Sequence, residues 1–237
     1  MNRPPREHRF GTRAALTEAL AADIAATLKE AVATRGRASF VGSGGTTPGP
    51  LYDRLAEADG PWDRVSVTLA DERWVPPDDE RSNERLLRER FLHGRAAAAS
   101  FTPLKTSAPR PEDAEAEVGA ALAALPRPFD LMLLGLGENG HTASLFPDGV
   151  GLAGALDIAD PALVRAVRPV PPDDPDPPRL SMTARALLDS RTILLFFTGE
   201  AKWAVYRRAL GPGPVEALPV RAVLHQDKTP VQVWWAP

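Results

Sequence analysis

The 237-residue chain has no cysteine. Disulfides, thiolate metal sites and a cysteine nucleophile are therefore excluded. Histidine is scarce as well: His8, His93, His141 and His225 are scattered, with none of the HExxH spacing of a metal-binding helix. There is no GxSxG nucleophile elbow, which disfavours a covalent acyl-enzyme. The loop GSGGTTP is neither a P-loop, whose lysine it lacks, nor a GxGxxG, so it implies no nucleotide. No apolar run approaches the ~20 residues that cross a bilayer. The first residues, MNRPPREHRFGTR, are charged and lack the apolar core of a secretory signal, so the cytoplasm is the expected compartment. The formal net charge of −3 gives no overall attraction for nucleic acid or an acidic membrane, and neither is expected as a partner. An anionic small molecule would need a local cluster of Arg and Lys. No internal repeat is visible.

What is present reads as a globular α/β chain. The hydrophobic fraction of 43% supplies a sizeable core. Residues 13–35 carry Leu16, Leu20, Ile24, Leu28 and Val32 at helical spacing and are stopped by Gly36. RASFV (37–41) is a short strand, followed by the glycine-rich GSGGTTPGP and a helix, LYDRLAEA, that Pro48 can open. VSVTLA (65–70) is a strand and DERWVPPDDERSN (71–83) a long polar loop. Helices are expected over 83–92 and 111–124, strands at FDLMLL (129–134), TILLFF (192–197) and VQVWW (231–235), and a helix at GEAKWAVYRRAL (199–210). Strands alternating with helices predict a single domain over 1–237. It is a mostly parallel sheet with helices on both faces, a Rossmann-like three-layer α/β/α arrangement. PVPPDDPDPP (169–178) reads as a stiff surface connector rather than a domain linker.

In such a sheet ligands bind at the carboxyl ends of the strands. Loops 42–48, 71–83, 135–147 and 198–202 fall there. In the first, Ser43, Gly44, Gly45 and Thr46 can turn backbone N–H groups and hydroxyls toward an anion at a helix start. A plain strand–helix turn is the bland alternative. Arg179 opens RLSMT after the proline connector, and Lys202 sits near a helix start, where the dipole disfavours a cation unless an anionic ligand shares the place. A solvated surface lysine is the alternative. Asp71, Glu72 and Arg73 follow directly on a strand; Arg73 suits an oxyanion or a phosphate, and a structural ion pair is the alternative. GLGENGHTASLFPD (135–148) places His141 in a glycine turn before a Thr-Ala-Ser that looks like a helix start. An imidazole there suits proton abstraction from water near neutral pH, and a histidine that merely satisfies the turn is the alternative.

Together, VGSGGTTP, DERWVP…SN, GLGENGHTASLFPD, RLSMTARALLDSRTILLFFTGEAK and LPVRAVLHQDKTPVQVWW resemble the 6-phosphogluconolactonase family, within a wider group that includes glucosamine-6-phosphate deaminases. The resemblance implies hydrolysis of 6-phospho-D-glucono-1,5-lactone, the second step of the oxidative pentose phosphate pathway, with no metal and no organic cofactor. It implies His141 as general base and Ser43, Gly44, Gly45 and Thr46 as the phosphate loop. Arg179 and Lys202 are implied beside the phosphate, and Asp71 and Arg73 in the charged active-site loop. A monomer is expected, with a dimer as the alternative. The deaminase is the rival reading. Its motif resembles GHIAFNEP, and its catalytic glutamate falls where this chain has Phe146, which cannot accept a proton. One departure stands out: the family usually has aspartate where this chain has Asn139. Asparagine can accept a hydrogen bond from the imidazole but carries no charge, and Glu138 and Asp71 are the candidates to supply it. A sugar-phosphate-binding protein with impaired catalysis is the reading that Asn139 keeps open.

Overall fold

A computed structural model describes residues 4–170 and 176–237. Seven strands form one fully parallel sheet, in the order β1 (Arg6–Arg9), β10 (Val231–Ala236), β9 (Ile193–Thr198), β6 (Leu131–Leu134), β2 (Ala38–Gly42), β3 (Val65–Leu69) and β5 (Ser100–Phe101). Every residue of β2 and of β6 is buried. Alternate side chains of a strand point to opposite faces, so both faces of this sheet are covered. The covering helices are α1 (Arg13–Arg35), α2 (Gly49–Glu57), α3 (Asn83–Arg90), α4 (Glu115–Ala123), α5 (Leu152–Leu156), α6 (Ala184–Leu188), α7 (Glu200–Ala209) and α8 (Arg221–Leu224). Helix α1 keeps the expected bounds. Thr12 accepts from the Ala15 N–H at one end, and Gly36, at φ 74°, closes the other with its N–H on the Val32 carbonyl.

Strand order positions the site. β2 and β6 are parallel neighbours; from β2 the chain moves out to β3, and from β6 it moves the opposite way, to β9 and β10. The loops leaving their carboxyl ends therefore diverge and open a crevice.

Several sequence expectations are corrected. The 71–83 segment is not all loop: Asp71–Arg73 form β4, which pairs antiparallel with β8 (Arg179–Met182), itself paired with β7 (Val164–Val167), in a second, three-stranded sheet. The Thr-Ala-Ser after His141 does not open a helix. Thr142 Oγ1 donates to the Gly135 carbonyl and Ser144 Oγ to Asp71, and Ala143 takes φ 47°. Side-chain bonds of this kind compete with a helical ladder. Strands β1 and β5 are additions to the expected set, because edge strands of polar or very short sequence carry no apolar run. Of the proline connector, residues 171–175 lie outside the described residues. No helix among the described residues is long and apolar enough to cross a membrane.

Candidate active site

The glycine loop leaves β2 at Ser43. Tyr52, fully buried on α2, brackets that residue: its hydroxyl donates to the Ser43 carbonyl at 2.6 Å and accepts from the Ser43 N–H at 2.9 Å. Gly44 has no room for a side chain, since a Cβ there would lie 1.9 Å from Asn83 Oδ1. The loop is thus pinned from below by Tyr52 and from the side by Asn83.

Asn83 is the first residue of α3, and its Nδ2 donates to the Asp71 carbonyl at 2.9 Å. Its place is fixed by Glu72. This buried carboxylate accepts from the N–H groups of Arg73, Asn83 and Glu84, each at 2.7 Å, and from Ser82 Oγ at 3.1 Å. A carboxylate at a helix N-terminus satisfies donors the helix itself cannot. Burial raises the pKa of Glu72, and the backbone N–H bonds oppose that rise.

Asp71, buried beside it, accepts from Ser144 Oγ at 2.5 Å. The register of β4 on β8 sets Arg73 directly opposite Arg179. Like charges facing each other across strands are destabilising on their own. Both side chains also carry a buried Nε without a hydrogen-bond partner. Arg73 spends Nη1 on the Arg81 carbonyl, and Arg179 spends Nη2 on Asp176 at 2.7 Å. A pair of facing guanidinia with unused donors is an arrangement completed by an anion. Lys202, in the first turn of α7, adds a third cation, and no hydrogen bond or ion pair to it is found among the described residues.

His141 leaves the turn after β6. Its carbonyl accepts from the Gly137 N–H at 2.9 Å, and a Cβ on Gly137 would lie 2.1 Å from the imidazole. Asn139 Oδ1 stands 2.6 Å from Nδ1 and 3.2 Å from the His141 N–H. The backbone N–H is a donor, so the group facing it is the amide oxygen; the same oxygen then requires a proton on Nδ1. Nε2 is left with the free lone pair. The pKa of His141 is lowered to about 4. Burial is the main cause; the Asp71 carboxylate opposes it, and Arg179, Lys202 and Arg73 add to it. The ring is therefore neutral at physiological pH.

These groups line one cleft of about 220 Å³. Ser43, Gly44, Gly45, Thr46, Asp71, Arg73, His141, Arg179 and Lys202, all singled out from the sequence, are on its wall. Asn139 is not on the wall and acts from behind the imidazole. Of the two carboxylates that could compensate for it, Asp71 is the one His141 feels; Glu138 is exposed and off the cleft. Sequence reasoning does not single out Asn83, Ser144 or Glu72 as site residues. For Asn83 a signal exists in Ser82, a helix N-cap immediately before it. Ser144 carries no local signal. Chemically, the cleft offers a neutral base with a fixed tautomer beside three cations and one carboxylate.

A 6-phosphogluconolactonase of Caulobacter vibrioides is 47% identical over 234 residues, which cover 96% of this chain and 95% of that protein. The crystal structure of a 6-phosphogluconolactonase from Shewanella baltica superposes with a TM-score of 0.94 at 43% identity, covering all of both chains. A monomeric glucosamine-6-phosphate deaminase shares the fold, with a TM-score of 0.79 over 98% of this chain and 97% of its own, at 21% identity. The profile described as glucosamine-6-phosphate isomerases/6-phosphogluconolactonase matches residues 11–235, and the chain belongs to that family.

Proposed function

We infer that the chain is a 6-phosphogluconolactonase, which hydrolyses 6-phospho-D-glucono-1,5-lactone to 6-phosphogluconate in the oxidative pentose phosphate pathway. Relatives named for this activity match it along nearly their whole length. The observation that carries the mechanism is a neutral imidazole of fixed tautomer on the same cleft as three cations. The phosphate dianion takes the place between the glycine loop, Arg179 and Lys202, and this remote anchor positions the lactone ring. His141 Nε2 removes a proton from a water whose oxygen bonds to C1. The carbonyl pair moves onto oxygen, where Arg73 or loop N–H groups meet the charge. As the oxyanion re-forms the carbonyl, the C1–ring-oxygen bond breaks and the imidazolium returns its proton to that oxygen. The new carboxylic acid then ionises. Asp71, the carboxylate His141 feels, stabilises the imidazolium while it exists.

In this reading the protein is one domain that works in the cytoplasm as a monomer, with a dimer the alternative. Deamination of glucosamine 6-phosphate is not expected, because position 146 presents a phenyl ring to His141 rather than a carboxylate. The test is to generate the lactone in situ and follow its loss by NMR against an enzyme-free control. Acceleration supports the assignment. A folded protein that gives none leaves a sugar-phosphate-binding protein, and ammonia release from glucosamine 6-phosphate would point to the deaminase.

A further inference from the structure

Phe146 stands behind the cleft wall and packs against two residues of that wall, His141 and Arg179. Its ring centroid is 4.4 Å from that of His141, at a tilt of 34°, and the guanidinium carbon of Arg179 stands 4.9 Å over the same ring. The phenyl group forms no hydrogen bond, so what it supplies is volume and a π face. The Arg179 guanidinium is attracted to that face. Gly137 closes in on the imidazole as well, with no space for a side chain beside it.

We propose that Phe146 is a positioning residue, a wedge that sets the separation between the base at 141 and the phosphate-binding guanidinium at 179. It thereby matches the cleft to the span between the phosphate and the C1 carbonyl. The proposal rests on the lactonase reading. Binding energy from a remote phosphate speeds reaction at C1 only when anchor and base are held at a fixed distance, and a slip of about 1 Å can cost about 10²-fold. His141 and Arg179 make no bond to each other, and each packs on the phenyl ring. The ring also shields the imidazole from water, and burial is the chief cause of its low pKa.

The test compares Phe146→Leu and Phe146→Tyr with wild type on 6-phosphogluconolactone and on unphosphorylated glucono-δ-lactone. Phe146→Tyr, which keeps the ring, should retain most of the activity. Phe146→Leu should lose about 10- to 100-fold in kcat/KM on the phosphorylated lactone, mostly in kcat. It should lose only a few-fold on the unphosphorylated one, which has no anchor to be matched. Phe146→Met takes the place of the leucine variant if the latter does not fold. A second readout needs no turnover. By NMR, the titration midpoint of His141 should move up toward that of an ordinary histidine in Phe146→Ala. Equal losses on the two lactones, full activity of Phe146→Leu, or an unmoved midpoint would overturn the proposal. Wild type inactive on both lactones would overturn the lactonase reading itself, an outcome distinct from an active enzyme with an unchanged substrate ratio.

Discussion

The two ends of the cleft are built by opposite means. The anion end rests on a buried polar framework: Glu72 takes four hydrogen bonds, Asp71 takes Ser144, and Asn83 ties β4 to the glycine loop. The base end is lightly held, with one exposed amide oxygen behind the imidazole and a phenyl ring against it. The difference follows from what each end must do. Facing guanidinia with unused donors have to be kept in place before their ligand arrives, which needs many bonds. A base has to change its charge, and a dense charged framework would fix that charge in advance. One fixed tautomer in a partly apolar slot leaves it free to cycle.

The largest expected effect comes from removing the base. His141→Ala should lower kcat about 10³-fold while leaving thermal stability nearly unchanged, because the residue sits in a turn; turnover and melting temperature measured on one preparation check both parts. At the other end the weight should fall on folding. Glu72→Ala strands three backbone N–H groups and the Ser82 hydroxyl, and about 3 kcal/mol of stability should be lost, read from the midpoint of urea unfolding. A stable Glu72→Ala would break the contrast between the two ends.

Much of the base end is legible in the amino-acid sequence because it is local. GLGENGHTASLFPD carries the turn, the histidine and the asparagine within one stretch, and the glycine loop is equally contiguous. The framework is not legible there because its bonds join distant residues. Ser144 reaches Asp71 across 73 positions, and Arg73 faces Arg179 only because β4 pairs with β8. That pairing is hidden by the short, polar sequence of β4, which reads as loop. The parallel sheet follows from apolar runs alternating with helices. The polar edge strand β1 does not, since REHR resembles a charged tail.

Two smaller effects sharpen the comparison. Lys202→Ala should raise KM for the phosphorylated lactone about 10- to 100-fold with little change in kcat, the worth of one charge-assisted contact. Steady-state kinetics on both lactones check this, and an equal loss on the unphosphorylated lactone would show that Lys202 does not read the phosphate. Asn139→Asp places a charge at the base end that wild type lacks. It should raise the pKa of His141, because a carboxylate beside the ring favours the imidazolium, and change kcat at neutral pH by less than about tenfold. The acid limb of kcat, measured at saturating lactone, should move to higher pH in that variant.

The central claim is that His141 waits as a neutral imidazole protonated on Nδ1, beside cations that await a phosphate. Nitrogen NMR of the labelled His141 side chain, titrated from about pH 7 to below the midpoint with and without 6-phosphogluconate, measures this directly. The Nδ1–H tautomer is expected at neutral pH, with a midpoint near 4 in the free protein. The midpoint should shift upward when the bound phosphate offsets Arg179, Lys202 and Arg73. An Nε2–H tautomer, or a midpoint at the ordinary histidine value that ignores the ligand, would contradict it.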